Sequence, residues 1–236
     1  MAWLKLTARG RAGHGSMINQ DNAVTRLAEA VARIGNHDFP LHIIDSVREL
    51  LTEIADVLGI ELDLDDPEAV VAKLGPLAKL IGASLRNTAN PSMLSAGYKV
   101  NVIPGAAEAY VDGRFLPGYE DEFLSEIDSL LGPDVTREMT HTDVALEVPF
   151  SGPLVEAMCA SVLAEDPAGR TAPYALSGGT DNKSFSRLGI VGYGFSPLRL
   201  PADLDFAGLF HGVDERVPLD ALGFGVRVLD RFLDAC

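Results

Sequence analysis

Five short segments carry residue types that could do chemistry. Gly13-His14-Gly15-Ser16 sets an imidazole between two glycines. Such a ring is unencumbered and can present an N–H to an anion or a developing oxyanion. The same letters suit a turn histidine bonded to backbone. In Lys99-Val100-Asn101-Val102-Ile103-Pro104 a lone amide, Asn101, interrupts an apolar run. A buried amide needs a partner, which is either a nearby protein group or a ligand. Asp112-Gly113-Arg114 puts a carboxylate and a guanidinium on one strand face. Arg114 is then either a salt partner of Asp112, contributing little if exposed, or a fork for a ligand carboxylate.

Ser177-Gly178-Gly179-Thr180-Asp181 has consecutive glycines ahead of a helix. Open backbone N–H groups there can form an anion nest, while a plain turn capped by Asp181 fits equally. In Phe210-His211-Gly212-Val213-Asp214-Glu215-Arg216 a histidine stands near two carboxylates, as metal ligands do. Asp214 and Glu215 also suit the acidic approach to a helix opening at Pro218. The remaining histidines, His37, His42 and His141, read as surface residues. No Walker loop, GxGxxG, HExxH or CxxC occurs.

These segments need elements to hold them. Trp3 to Arg9 alternates as a half-buried strand. Gly10 to Ser16 follows as a loop. Ala23, Val24, Leu27, Ala30, Val31 and Ile34 recur at helical spacing, and Gly35-Asn36 closes that helix. A second stripe runs from Ile43 to Leu58 and ends at Gly59. Asp66-Pro67 opens a third helix, extending to about Ile81. Gly82 to Gly97 reads as loop, Tyr98 to Ile103 and Ala107 to Phe115 as strands, Phe123 to Leu131 as a helix, and Val135 to Thr142 as a strand. Without the helices of about 40–90, the order is strand, helix, strand, strand, helix, strand, the split βαβ pattern. Beyond Pro153 come a helix around Met158, a short strand Tyr174 to Leu176, a buried strand Ile190 to Phe195, and a last helix with Leu219, Leu222, Val226, Leu229 and Phe232 on one face. Those strands read as part of a larger sheet.

Composition bounds the partners. With 34 acidic and 19 basic residues, a formal charge of −15 argues against nucleic acid and anionic membranes. No apolar run approaches the ~20 residues of a membrane span, and Met1 to Gly13 has no apolar core of a secretory signal. Cys159 and Cys236 read as free thiols in a reducing, hence cytoplasmic, compartment.

Taken in order, GHGS at 13–16, KVNVIP at 99–104, DGR at 112–114, GGTD at 178–181 and HGVDERV at 211–217 resemble the zinc-dependent aminoacylase, acetylornithine deacetylase and carboxypeptidase superfamily. The ending is most similar to its aminoacylase and carboxypeptidase-S-like branch, and the resemblance runs from Trp3 to the C-terminus. It implies an α/β protein: a ferredoxin-like (split βαβ) lid or dimerisation domain over 1–144, with a helical insertion at about 40–90, followed by an incomplete α/β catalytic domain over 145–236. A homodimer through the lid is implied, as is a small-molecule or peptide substrate with a free carboxylate. So is metal-assisted amide hydrolysis, in which two zinc ions activate a bridging water and a glutamate acts as base. By resemblance His14 is the catalytic residue, reaching across the dimer to the oxyanion. Asn101, Arg114, Gly179 and Thr180 hold the substrate, and His211 is a zinc ligand.

The chain also departs from the superfamily. In the superfamily the His-x-Asp motif, the bridging Asp, the Glu-Glu pair and a further carboxylate ligand precede the lid, whereas these 236 residues start at the lid's first strand. One histidine cannot hold two zinc ions, since each needs three or four ligands. The expectation is therefore the C-terminal portion of a longer enzyme, inactive alone. Asn182 and Lys183 also depart from the small-residue and Arg pattern common after GGTD. Two rival readings remain: a non-catalytic dimerisation or binding module, and a mononuclear enzyme using His211 with Asp214 or Asp181.

Overall fold

The computed structural model describes residues 1–75 and 78–236. Its chain divides into two compact units, the first comprising Met1–Ile44, Ile81–Glu147 and Leu176–Lys183, the second Asp45–Leu80, Val148–Ala175 and Ser184–Cys236. The helical residues 45–80 are thus grouped with the later part of the chain.

The first unit is built on strand β1 (Ala2–Arg9). Ala2, Leu4, Leu6 and Ala8 are wholly buried, as alternation requires of a strand with one face in a core. Strand β2 (Gly13–His14) is a two-residue element where the sequence reads as loop. Helix α1 (Ala23–Gly35) starts where the Asn22 side chain accepts the Val24 N–H, and it buries Ala23, Leu27, Ala30 and Ile34. Strands β3 (Thr88–Ala96), β4 (Val102–Ile103) and β5 (Ala106–Arg114) follow the 45–80 excursion, then helix α5 (Glu120–Leu131) and strand β6 (Val135–Thr142), with α2 to α4 lying in that excursion.

The sheet order is β3-β5-β1-β6, antiparallel throughout. That is the ferredoxin-like, split βαβ arrangement. Leu4 stands opposite Val111 and Leu6 opposite Ala109. Phe123 and Ile127 of α5 join Leu27 and Ile34 of α1 in the same core.

Two strand expectations are corrected. The second long strand is β3, in the stretch that reads as loop, while Tyr98 to Ile103 contributes only β4. Thr88–Ala96 hides its nature because little of this edge strand is buried: Ala89 is its one core residue, and the register slips between Pro91 and Met93. A proline on an edge removes no needed ladder bond. Gly97 then turns the chain with φ of 68°, and Tyr98 and Val100 face solvent.

The glycine of the Asp-Gly-Arg segment is held by packing. A Cβ on Gly113 would stand 2.4 Å from Phe123 Cζ and 3.0 Å from the Ala2 carbonyl oxygen. Asn87, which the sequence reading passed over, is buried. Its Oδ1 accepts the Leu116 N–H at 2.8 Å and so ties the β5–α5 turn to the chain entering β3.

The second unit is helical among the described residues. It holds α2 (Asp45–Leu58), α3 (Pro67–Leu74, capped by Asp66) and α4 (Ala78–Ile81). The expected single helix from Asp66 to Ile81 is therefore two, and residues 76–77 of that expectation lie outside the described residues. Helix α6 (Pro153–Glu165) packs on the last helix, α8 (Leu219–Ala235), α7 (Asn182–Ser186) being short. Arg227 and Arg231 both reach the Glu165 carboxylate, at 2.7 and 2.6 Å, and hold its pKa below the ordinary value.

Three further expectations are corrected here. Tyr174 to Leu176 and Ile190 to Phe195 form no strand, and Ile190 and Val191 are half exposed or more. A strand needs a neighbouring edge, and the described residues of this unit provide none. In α8 the buried residues are Ala221, Phe224, Gly225 and Val228, while Leu219, Leu222, Val226 and Leu229 are exposed. The helix has two apolar faces, and the packed one is that of Phe224 and Val228.

The Gly113 contact yields a stability prediction. Gly113→Ala should destabilise the chain by about 1–3 kcal/mol, the usual scale of overpacking. Gly82→Ala, where a Cβ meets nothing within 4 Å, should stay within about 0.5 kcal/mol of the parent. Urea denaturation of the two variants checks this, and equal midpoints would refute the packing account.

Candidate functional site

His14 ends β2, where it stands opposite Val102, and Gly13 stands opposite Ile103. The Gly15 N–H donates to the Asn101 carbonyl at 2.9 Å. The two segments that the sequence singles out, around His14 and Asn101, are therefore bonded to each other. The link runs through the Asn101 backbone, and the residue is exposed in the turn before β4. This corrects the picture of a buried strand amide: once Gly97 has ended β3, residues 98–101 have no ladder to join.

The His14 ring is oriented locally. Its Nδ1 lies 2.9 Å from Ser16 Oγ and accepts the Ser16 backbone N–H at 3.3 Å. A backbone N–H can only donate, so Nδ1 is the acceptor and Nε2 carries the proton of the neutral ring. That tautomer offers one N–H to an incoming anion.

Arg114 ends β5. Its Nε and Nη2 bind the two oxygens of Asp112 at 2.6 and 2.8 Å. Both readings of this pair leave traces: Asp112 occupies one edge of the fork, and Nη1 is left at 3.3 Å from Met1 Sδ. A Cβ on Gly179 would stand 3.9 Å from the same Nη1 and 3.5 Å from Met1 Sδ. Arg114 and Gly179 are thus neighbours, although far apart in sequence. Thr180 is exposed, and its carbonyl accepts the Lys183 N–H at 3.2 Å as α7 begins. At five residues, α7 is too short to supply the dipole of the anion-nest reading.

The sequence reading gave Lys183 no role at this corner. Burial, more than the nearby Arg114, pushes its ammonium below the ordinary lysine range. The Met1 ammonium donates to the Asp143 carbonyl at 2.8 Å. Arg114 and Lys183 thus bring positive charge to this corner, with Asp112 and Asp143 as counter-charges.

The Arg114 and His14 groups lie at opposite ends of β1. Ala2 pairs with Gly113 beside Arg114, and Arg9 pairs with Ala106 just after β4. Eight residues at about 3.3 Å each separate the two ends by roughly 25 Å.

His211 belongs to the second unit. It and Asp214 have φ of 57° and 63°, in the left-handed region that non-glycine residues seldom adopt. Arg216 donates to the Asp214 carbonyl at 3.0 Å. Among the described residues no three His, Cys, Asp or Glu side chains are grouped to hold a metal ion. His211 therefore gathers neither Asp214 nor Asp181 into a centre, and the donor set present does not fit two zinc ions.

The hydrogen-bond pattern at Ser16 predicts the tautomer. At pH 8, the ring ¹⁵N signals of His14 should show Nε2 protonated and Nδ1 bare, and Ser16→Ala should weaken that bias. A parent ring protonated on Nδ1 would refute the assignment.

Comparison with known proteins follows the same lines. The M20 peptidase dimerisation-domain family matches residues 1–134. A human N-fatty-acyl-amino acid synthase/hydrolase, PM20D1, is 26% identical over 92% of this chain and 45% of its own length. A probable carboxypeptidase S-like protein 2 from Dictyostelium discoideum is 24% identical over 92% of this chain and 43% of its own. The chain thus spans about half the length of these curated relatives. Among solved structures, the di-peptidase Dug1p from Saccharomyces cerevisiae matches 99% of this chain and 53% of its own, at 12% identity and a TM-score of 0.60. The M20 family metallo-carboxypeptidase Sso-CP2 from Sulfolobus solfataricus matches 99% and 61%, at 15% identity and a TM-score of 0.55. These likenesses show the fold. With the family match covering more than half of its length, this chain belongs to the M20 peptidase dimerisation-domain family.

Proposed function

We propose that this chain is the dimerisation-domain portion of a zinc-dependent M20 amidohydrolase that cleaves N-acyl amino acids or C-terminal peptide bonds. The observation that carries this reading is the placement of Arg114 and His14 at opposite ends of β1. One subunit cannot bring both to a small substrate. A homodimer can, if His14 of the partner subunit approaches the site that Arg114 serves. Arg114 would then hold the free carboxylate through Nη1, with Gly179 and Thr180 beside it. Asn101 would hold the amide, and the Nε2–H of His14 would stabilise the oxyanion. The names of the relatives, an N-fatty-acyl-amino acid synthase/hydrolase and a carboxypeptidase S-like protein, describe substrates of this chemistry.

Zinc enters only with ligands beyond those described here. In this reading His211 contributes one, and the other ligands and the general-base glutamate lie outside this chain. We place the enzyme in the cytoplasm on its free thiols, Cys159 and Cys236. A second reading, a non-catalytic dimerisation or binding module, is favoured by a family match to a dimerisation domain over residues 1–134.

His14→Ala in the complete enzyme should lower turnover of an N-acyl amino acid by about 10²–10³-fold, the scale of one oxyanion donor. Unchanged turnover would remove His14 from the mechanism. The two readings separate on assembly with the metal-binding portion: restored hydrolysis supports the enzyme, and a stable dimer that never hydrolyses supports the module.

A further inference from the structure

Residues His37 to His42 carry the chain out of α1 toward α2, the first helix of the second unit. This strap is fastened to the first unit along its length. The His42 N–H donates to the Leu85 carbonyl at 2.7 Å, and Leu41 bridges Arg86. The Arg86 guanidinium pairs with Asp38 at 3.0 Å. Phe39 is buried and stacks on Phe123 of α5, their ring centroids 5.5 Å apart.

A histidine stands on each side of Phe39. His37 Nε2 lies 2.5 Å from Glu126 Oε2, and His42 Nε2 lies 2.8 Å from Glu122 Oε1. Glu122 and Glu126 are one turn apart on α5, so their carboxylates share a face. The His42 ring also stacks on Tyr119, with centroids 3.8 Å apart. The four side chains are between 19% and 35% exposed, sheltered enough for charge to matter. The sequence reading placed both histidines on the surface, alone; each is paired.

Imidazole is the side chain that ordinarily changes charge between about pH 5 and 8. The other groups facing the strap are Glu122, Glu126 and Tyr119 at α5, Asp38 in the strap and Arg86 before β3. Arg33 of α1 is engaged with the Leu130 and Leu131 carbonyls. Carboxyl, phenol and guanidinium groups ordinarily titrate outside that range. A protonated imidazole makes a charge-assisted bond to carboxylate, roughly twice as strong as a neutral one.

We propose that His37 and His42, seated on Glu126 and Glu122, form a proton-operated latch that holds the strap to α5. The imidazolium forms fasten the strap, and loss of the two protons lets it open more often. The latch is therefore full on the acid side of the imidazole range and is lost as pH rises.

Amide hydrogen exchange on the full chain tests this, read as protection factors so that intrinsic pH effects cancel. From about pH 5.5 to 8, protection of the His42 amide should fall about tenfold, the difference between a charge-assisted and a neutral hydrogen bond, while Leu4 and Leu6 in β1 stay level. In His37→Gln/His42→Gln the fall should vanish. A level profile in the parent, or the same fall in the double variant, would overturn the proposal. If the double variant does not fold, the parent still decides. The ring ¹⁵N signals of His37 and His42 must follow the same pH course as the His42 amide, and a mismatch overturns the latch.

Discussion

The first unit depends on one strand being satisfied on both edges. β1 bonds to β5 on one side and β6 on the other, partners that arrive about 100 and 130 residues later. Its apolar alternation makes a core face but cannot close one alone. Burying Leu4 and Leu6 requires those ladders and the two helices that roof them. An unpaired strand would leave its N–H and C=O groups without partners, which a buried element cannot sustain. The helical residues 45–80 are grouped with the second unit, so a long excursion intervenes without entering this core.

The functional segments hang from the ends of that ladder, and their geometry follows from it. Asp112 and Arg114 share the face of β5 away from the helices, and Gly113 between them lies under Phe123. The glycine serves packing, while the charged residues on either side pair with each other on the opposite face. At the other end, β2 and β4 form a two-stranded clasp that holds the His14 loop against Asn101. The ladder thus separates the two groups that the proposed function brings together, which is why that proposal includes a dimer.

The solved structure Sso-CP2, of similar fold, is named a metallo-carboxypeptidase, while among the described residues of this chain no three His, Cys, Asp or Glu side chains are grouped to hold a metal ion. The left-handed backbone of His211, shared with Asp214, shows a segment held in an uncommon conformation. The same unit shows exposed apolar side chains on α8 and at Ile190 and Val191.

Periodicity and order in the sequence determined much of this protein. β1, α1, α2, β5, α5 and α8 were legible because each repeats an apolar residue at the period of its own element. The five motifs, read in order, carried the family. The strand Thr88–Ala96 was not legible, because Ala89 is its one buried residue and Asn90-Pro91 reads as a break. Ile190 to Phe195 misled for the converse reason: an apolar run states a need for burial without naming a partner. Tertiary structure alone decided that Gly179 comes beside Arg114, that the Asn101 contact runs through backbone, that Gly113 answers to Phe123, and that His37 and His42 are paired with α5. Each of these is a meeting of residues distant in sequence. Local preference specifies conformation, while contact depends on where the ladders bring the chain back.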